Sequence, residues 1–295
     1  MNRKIYAYAA AVFTVLLWGM SYIWSDRLLD LGIPVEFFVP IRILLAGTLL
    51  LVINLLTRQD MRMRKGDVWK FALLALCMPF VYFLAETYGI LLTDSPTITS
   101  LIIAMNPVIT MFVGMLIFHE KFGGANIAGV LITLAGLWMV LYTRTETGPT
   151  FWTGIMVLLV AVAAEVSQIA FTKSLSERYS PPVIVMYQFL LGAVFFAPMF
   201  FTKGLEGYES GLYISWKVIY PILSLALLCS AAAFTSWAYA ISKLGTARTS
   251  VFLAIVPIVT ALLCIIVGDE KLGWLQWAGL AVAMVGIYLT QKEKR

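Results

Sequence analysis

Two carboxylates stand inside long apolar runs of this chain. Glu86 lies in YFLAETYGI and Glu165 in AAEVSQIAF. A charged group within hydrocarbon is costly, so it faces a partner or a wet cavity and marks a route for solutes or protons. Glu86 has three readings: it binds a substrate amine, takes up a coupling proton, or pairs with Arg42, which also sits within an apolar run. Arg42 otherwise reaches the interface by snorkelling. Gln168 follows Glu165 nearly one turn later on the same helical face, which suits either substrate contact or a structural hydrogen-bonded pair. Asn106, just before Pro107, is polar at mid-depth and serves as a ligand group or as glue between helices.

The aromatic residues divide by depth. Trp69, Trp152, Trp216 and Trp274 stand near run ends, as interfacial belts do. Trp18, Tyr82, Tyr187, Trp237 and Tyr239 lie deeper and are suited to an amphipathic pocket, although any one of them alone is as well explained by packing. Pro107 and Pro257 fall mid-run. Each removes a backbone donor and frees the carbonyl four residues back, at Ile103 and Leu253, so each kinks its helix. A packing kink and a matched pair shaping a cavity both fit.

Other chemistry is absent from the sequence. Cys77, Cys229 and Cys264 lie in apolar runs and read as packing residues rather than disulfides. The one histidine, His119, has no second imidazole to complete a metal pair, so no metal and no cofactor are expected. There is no GxxxxGK[ST] loop for ATP, no HExxH, and no set for a Ser-His-Asp triad. An enzyme is therefore not expected.

Those residues are positioned by ten apolar segments. Of 295 residues, 61% are hydrophobic and only 13% charged, which excludes a soluble domain. Runs near the 20 or so residues a spanning helix needs occur at about Ile5–Trp24, Val35–Leu56, Val68–Leu91, Pro96–Phe118, Ala125–Tyr142, Phe151–Phe171, Val183–Phe201, Trp216–Ile241, Thr246–Val267 and Trp274–Thr290. The net charge of +5 comes from short inter-run segments, so it reports orientation in a bilayer rather than nucleic-acid binding. With the N-terminus in the cytoplasm, fifteen Lys and Arg fall inside and five outside. Both termini are thus expected in the cytoplasm of a cell with the chain in its inner (plasma) membrane. The basic stretch Thr57–Asp67 would meet anionic headgroups, so lipid is an expected partner.

The stretch Thr99–Gly136 recurs as Thr249–Gly286, shifted by 150 residues without a gap and identical at eleven of thirty-eight positions. Each copy is a proline-bearing helix, a Glu-Lys turn (Glu120-Lys121, Glu270-Lys271) and a helix with glycines seven apart. Equivalent helices of the two copies are five helices apart, an odd number, so the copies point in opposite directions. The fold class follows: an all-α membrane protein with ten transmembrane helices as two inverted-topology five-helix repeats, 1–146 and 147–295, joined through Thr143–Thr150. Gly129/Gly136 and Gly279/Gly286 put small residues on one helix face, as scaffold or as a homodimer contact.

NPVITMFVGMLIFHEKF with IAGVLITLAG, VPIVTALLCIIVGDEKL with WAGLAVAMVG, and the early WGMSYIWS resemble the drug/metabolite transporter superfamily, EamA type, over nearly the whole chain. In AAEVSQIAF the chain departs from that pattern, lacking its tryptophan and introducing Glu165. The resemblance implies a secondary carrier, commonly an exporter of amino acids or other small metabolites, with its cavity between the halves. The substrate site expected here comprises Glu86, Tyr82, Asn106 and Trp237, with Tyr239, Glu165, Gln168 and Trp18 as further candidates. Two rivals remain: a proton-coupled exporter of cationic hydrophobic drugs, and a receptor or scaffold that moves no solute.

Overall fold

The structure is a computed structural model, and it describes residues 2–117, 123–142, 148–206, 212–244, 249, 251–268 and 270–290. His119, Glu120, Lys121, residues 143–147 of the linker and the 146/147 boundary lie outside the described residues.

The described residues form ten helical spans. They are α1 (Asn2–Asp30), α2 (Val35–Leu56) and α3, in which Val68–Ala75 and Tyr82–Thr93 are joined by a π-helical stretch at Leu76–Val81. Next come α4, broken into Pro96–Ala104 (α4a) and Asn106–Ile117 (α4b), then α5 (Gly124–Tyr142) and α6 (Pro149–Ser176). α7 is Pro181–Met199 with a π-helical end at Phe200–Gly204. In α8, Trp216–Ser224 and Ala233–Leu244 flank π-helical Leu225–Ala232. α9 begins as a 3-10 turn at Val251–Ile255 and continues as Val256–Val267, and α10 is Trp274–Thr290. Seven spans are long and apolar enough to cross a bilayer; α4, α9 and α10 are shorter apolar helices. α1 runs six residues past its expected end, carrying Asp26 and Arg27 on to Asp30.

Local chemistry sets the tight connections. Gly32 takes φ +74° in the α1–α2 turn. At α3–α4, Asp94 closes one helix in the left-handed region and Ser95 opens the next, its Oγ accepting from Ile98 N at 3.1 Å with Pro96 in the first turn. Successive spans therefore alternate, giving a near end (that of the α1 N-terminus) and a far end. Asp67 near the start of α3 meets Arg178 at the end of α6, and Asn126 of α5 donates to Thr290 O of α10 at 2.9 Å, all at the near end. Tyr88 of α3 donates to Glu36 of α2 at 2.6 Å at the far end.

The inversion of the halves is visible where α5 crosses α10. A Cβ added at Gly129 would lie 2.8 Å from Gly286 O, at Gly136 2.6 Å from Gly279 O, at Gly279 2.8 Å from Gly136 O, and at Gly286 2.7 Å from Gly129 O. The duplication equates Gly129 with Gly279 and Gly136 with Gly286. Each contact is thus matched by its repeat-related counterpart, as a two-fold axis lying across the helices requires. These glycines meet one another within the chain, as the scaffold reading of them requires. Both kinks are also present. α4 breaks at Met105, and α9 changes from a 3-10 turn to α-helix at Val256, next to Pro257. The equivalent residues Ala104 and Ala254 pack together there, with Ile287.

Because backbone carbonyls, not flexible side chains, face all four glycines, Gly136→Ala and Gly279→Ala should each destabilise the protein by about 1–3 kcal/mol. Thermal unfolding in detergent measures this, with Gly148→Ala, which meets nothing within 4 Å, as the unperturbed control.

Candidate functional site

The helix breaks decide where the polar residues meet. In α3 the chain leaves helical geometry at Met78 (φ −144°, ψ 118°), ahead of Pro79. Past this break Tyr82, Phe83 and Glu86 turn into the bundle, each 7% exposed or less. The π-helical stretch of α8 lies at the corresponding place in the second half. It leaves carbonyls free, and α1 supplies their donors: Trp18 Nε1 donates to Cys229 O at 3.2 Å and Thr14 Oγ1 to Ala233 O at 3.2 Å. Cys229 Sγ donates in return to Leu17 O at 2.9 Å.

Glu86 sits at the centre of this arrangement, 6% exposed. Its Oε1 accepts from Tyr82 OH, four residues back, at 2.9 Å, and the Tyr22 hydroxyl adjoins both. Arg42 of α2 is 1% exposed. Its Nε donates to Ser230 Oγ at 2.8 Å, and the guanidinium lies 4.3 Å from the centre of the Phe83 ring. The expected Arg42–Glu86 ion pair is not formed, although the two interact electrostatically, and Arg42 does not snorkel. Glu165 of α6 is half-buried beside Asn106, and its Oε2 is buried without a hydrogen-bond partner among the described residues. Asn106 Oδ1 also accepts from Thr110 Oγ1 at 3.0 Å.

An aromatic wall closes one side. The Trp18 ring lies 5.2 Å from both Trp237 and Phe234, and Phe234 reaches Phe189 at 5.3 Å and Phe83 at 6.5 Å. The structure therefore brings together Trp18, Tyr82, Glu86 and Trp237, with Asn106 and Glu165 as a second polar pair. Three candidates fall elsewhere. Tyr239, two residues from Trp237 and so about 200° around the helix, is 37% exposed with its ring 6.0 Å from Lys243 Nζ. Gln168 accepts from Thr172 Oγ1 at 2.8 Å rather than pairing with Glu165. Tyr187 donates to Met61 O at 2.5 Å and tilts against Phe71, near the near end. Tyr22, Phe234 and Ser230 also belong to the cluster and carry no distinguishing signal in the sequence. Arg42 belongs to it too; its charge within an apolar run marked it, but only as a pairing partner of Glu86. A cavity of about 380 Å³ lined by Arg27, Asp30, Trp216, Lys217 and Tyr220 lies at the far end, away from these residues.

Burial changes along α4. Residues 96–105 of α4 are all buried, with α4a packed against α9, α6 and α1. Beyond the break Asn106 and Pro107 are half-buried and Thr110 is exposed, and α4b lies against α6 and α10. At the far end Glu270 Oε1 accepts from Ser95 Oγ at 2.6 Å and from Thr97 N at 3.4 Å, pinning the start of α4a to the α9–α10 connection. The start of α4 is thus buried and pinned at the far end, and its exposure rises past the break.

Two stretches, 5–142 and 152–291, each match the EamA-like transporter family. The chain belongs to that family. An uncharacterized transporter of Archaeoglobus fulgidus is 23% identical over 95% of this chain and 97% of its own. A probable terminal-alkyne amino-acid exporter of Streptantibioticus cattleyicolor is 26% identical over 66% of this chain and 63% of its own. A probable amino-acid metabolite efflux pump of Escherichia coli K12 is 21% identical over 65% and 66%. One crystal structure superposes with a TM-score of 0.71 at 16% identity, covering 96% of this EamA-like chain and 95% of that one, which shows the same fold. The chain is a multi-pass membrane transporter.

Glu270→Ala should release α4a at the far end. A cysteine placed at Ser100, which is 1% exposed, in a background without the native cysteines should then be labelled by a membrane-impermeant thiol reagent. The same cysteine beside an intact Glu270 should stay protected.

Proposed function

We propose that this chain is a secondary carrier that exports small amphipathic metabolites, amino acids foremost, by alternating access across the cytoplasmic membrane. The observation that carries this reading is the placement of Glu86, Tyr82, Trp18 and Trp237 where broken helices of both halves meet. Inverted repeats exchange roles when they rock. The contact between α4a and α9 at the far end can then be traded for its repeat-related counterpart at the near end. The excess of Lys and Arg supports a cytoplasmic near end, the side from which an exporter loads. Substrate fits the mixed character of the cluster: an ammonium beside Glu86, an apolar side chain against the Trp18–Phe234 wall. The names of the relatives in Streptantibioticus cattleyicolor and Escherichia coli support the amino-acid class. The halves 1–146 and 147–295 act as the two rocking units.

A second reading draws on Glu165. Two carboxylates in one cluster exceed what a single ammonium needs, and the extra one suits a proton-coupled exporter of cationic hydrophobic drugs.

Purified protein in sealed liposomes separates the readings. Amino acids in a panel should cross while lipophilic cations do not, and Glu86→Gln should lower that flux by about tenfold or more, with the unfolding temperature little changed. Cation flux driven by a pH gradient and abolished in Glu86→Gln would establish the second reading instead. No flux of either class would leave a receptor or scaffold.

A further inference from the structure

The least explained group in the bundle is the guanidinium of Arg42. It is among the largest fully buried side chains of the protein, 1% exposed, in the interior of α2. Burying a charge costs several kcal/mol unless it is paired and its donors are met, and an apolar residue of similar volume commonly serves a scaffold as well or better. Here neither condition holds. Nε donates to Ser230 Oγ at 2.8 Å and one face rests on Phe83, but Nη1 is buried with no hydrogen-bond partner among the described residues. No carboxylate among them makes ion-pair contact with it. Glu86, the acid nearest in effect, turns its Oε1 to the Tyr82 hydroxyl.

The arrangement holds the guanidinium in one orientation and leaves Nη1 without a partner among the described residues. A planar fork of this kind matches a carboxylate, which accepts from two of its N–H groups at once. Ser230 on α8 and Phe83 on α3 fix the fork from opposite halves of the chain, so a carboxylate bound there would bridge the repeats.

We propose that Arg42 is the carboxylate-binding residue of the central site, so that the solute carries a free carboxyl group, with its ammonium directed to Glu86. This rests on the carrier reading above and narrows it from amphipathic metabolites to zwitterions. It also makes lipophilic cations poor ligands, because they would leave the Arg42 charge buried and uncompensated.

The test compares acids with their neutralised analogues. The detergent-solubilised wild type is challenged in thermal-shift titrations with the twenty proteinogenic amino acids and with their carboxamides at the same pH. At least one free acid should stabilise it, its carboxamide should bind at least about tenfold more weakly, and Arg42→Gln should bind the two alike. Arg42→Lys, which keeps the charge but not the fork, should recover only part of the acid's preference. If Arg42→Gln does not fold, Ser230→Ala removes the bond that aims Nε and should weaken the acid about threefold or more without affecting the amide. Equal stabilisation by acid and amide, or none by any acid, overturns the assignment. Flux in liposomes is scored separately: a bound amino acid that does not cross would sink the carrier reading and leave Arg42 in place. Flux of amines or cations without acids would do the reverse.

Discussion

Within hydrocarbon no water is available to satisfy a broken helix, and this governs where the chain can depart from regular structure. Each freed N–H or C=O costs several kcal/mol unless protein supplies a partner. The departures in α3, α4, α8 and α9 all fall along the middle of the bundle. There α1 offers Trp18 and Thr14 to the loosened carbonyls of α8. The same need concentrates polar side chains at one depth, and the cluster around Glu86 follows from it.

Close packing of α5 on α10 is the complementary half of the design. Four glycines let the backbones touch, so these two helices form a rigid seam between the repeats. The broken helices lack such a seam: α4a lies mainly against α9, and α4b against α6 and α10. A proline or π-helical stretch weakens the hydrogen-bond ladder locally and lets one half of a helix tilt against the other. The Ser95–Glu270 bond holds the far half shut in the conformation described, at the N-terminus of a helix that draws a carboxylate by its dipole.

Charge burial separates the central residues from their neighbours. Asp67 at the near end is satisfied by Arg178, Lys70 and Tyr179, and so ties the start of α3 to α6 and α7. Arg42 and Glu86 are buried as deeply yet leave each other uncontacted.

The sequence by itself determined the ten spans, the two prolines, the inverted order of the halves and the membrane class. These depend on hydropathy and on a 150-residue repeat, both of which are properties of the linear chain. It also pointed to Glu86, Tyr82, Trp18 and Trp237, because a buried acid and deep aromatics stand out against apolar surroundings. Tertiary structure decided which face each residue presents. It turned Tyr239 away from Trp237, sent Tyr187 to the 57–67 loop, and closed the glycine stripes against each other inside the chain. It also left Arg42 apart from Glu86, with Ser230 and Phe83 between the two halves. Partners so distant in the chain are chosen by helix rotation and crossing. Those are set by packing between spans, which a one-dimensional pattern of apolar residues does not encode.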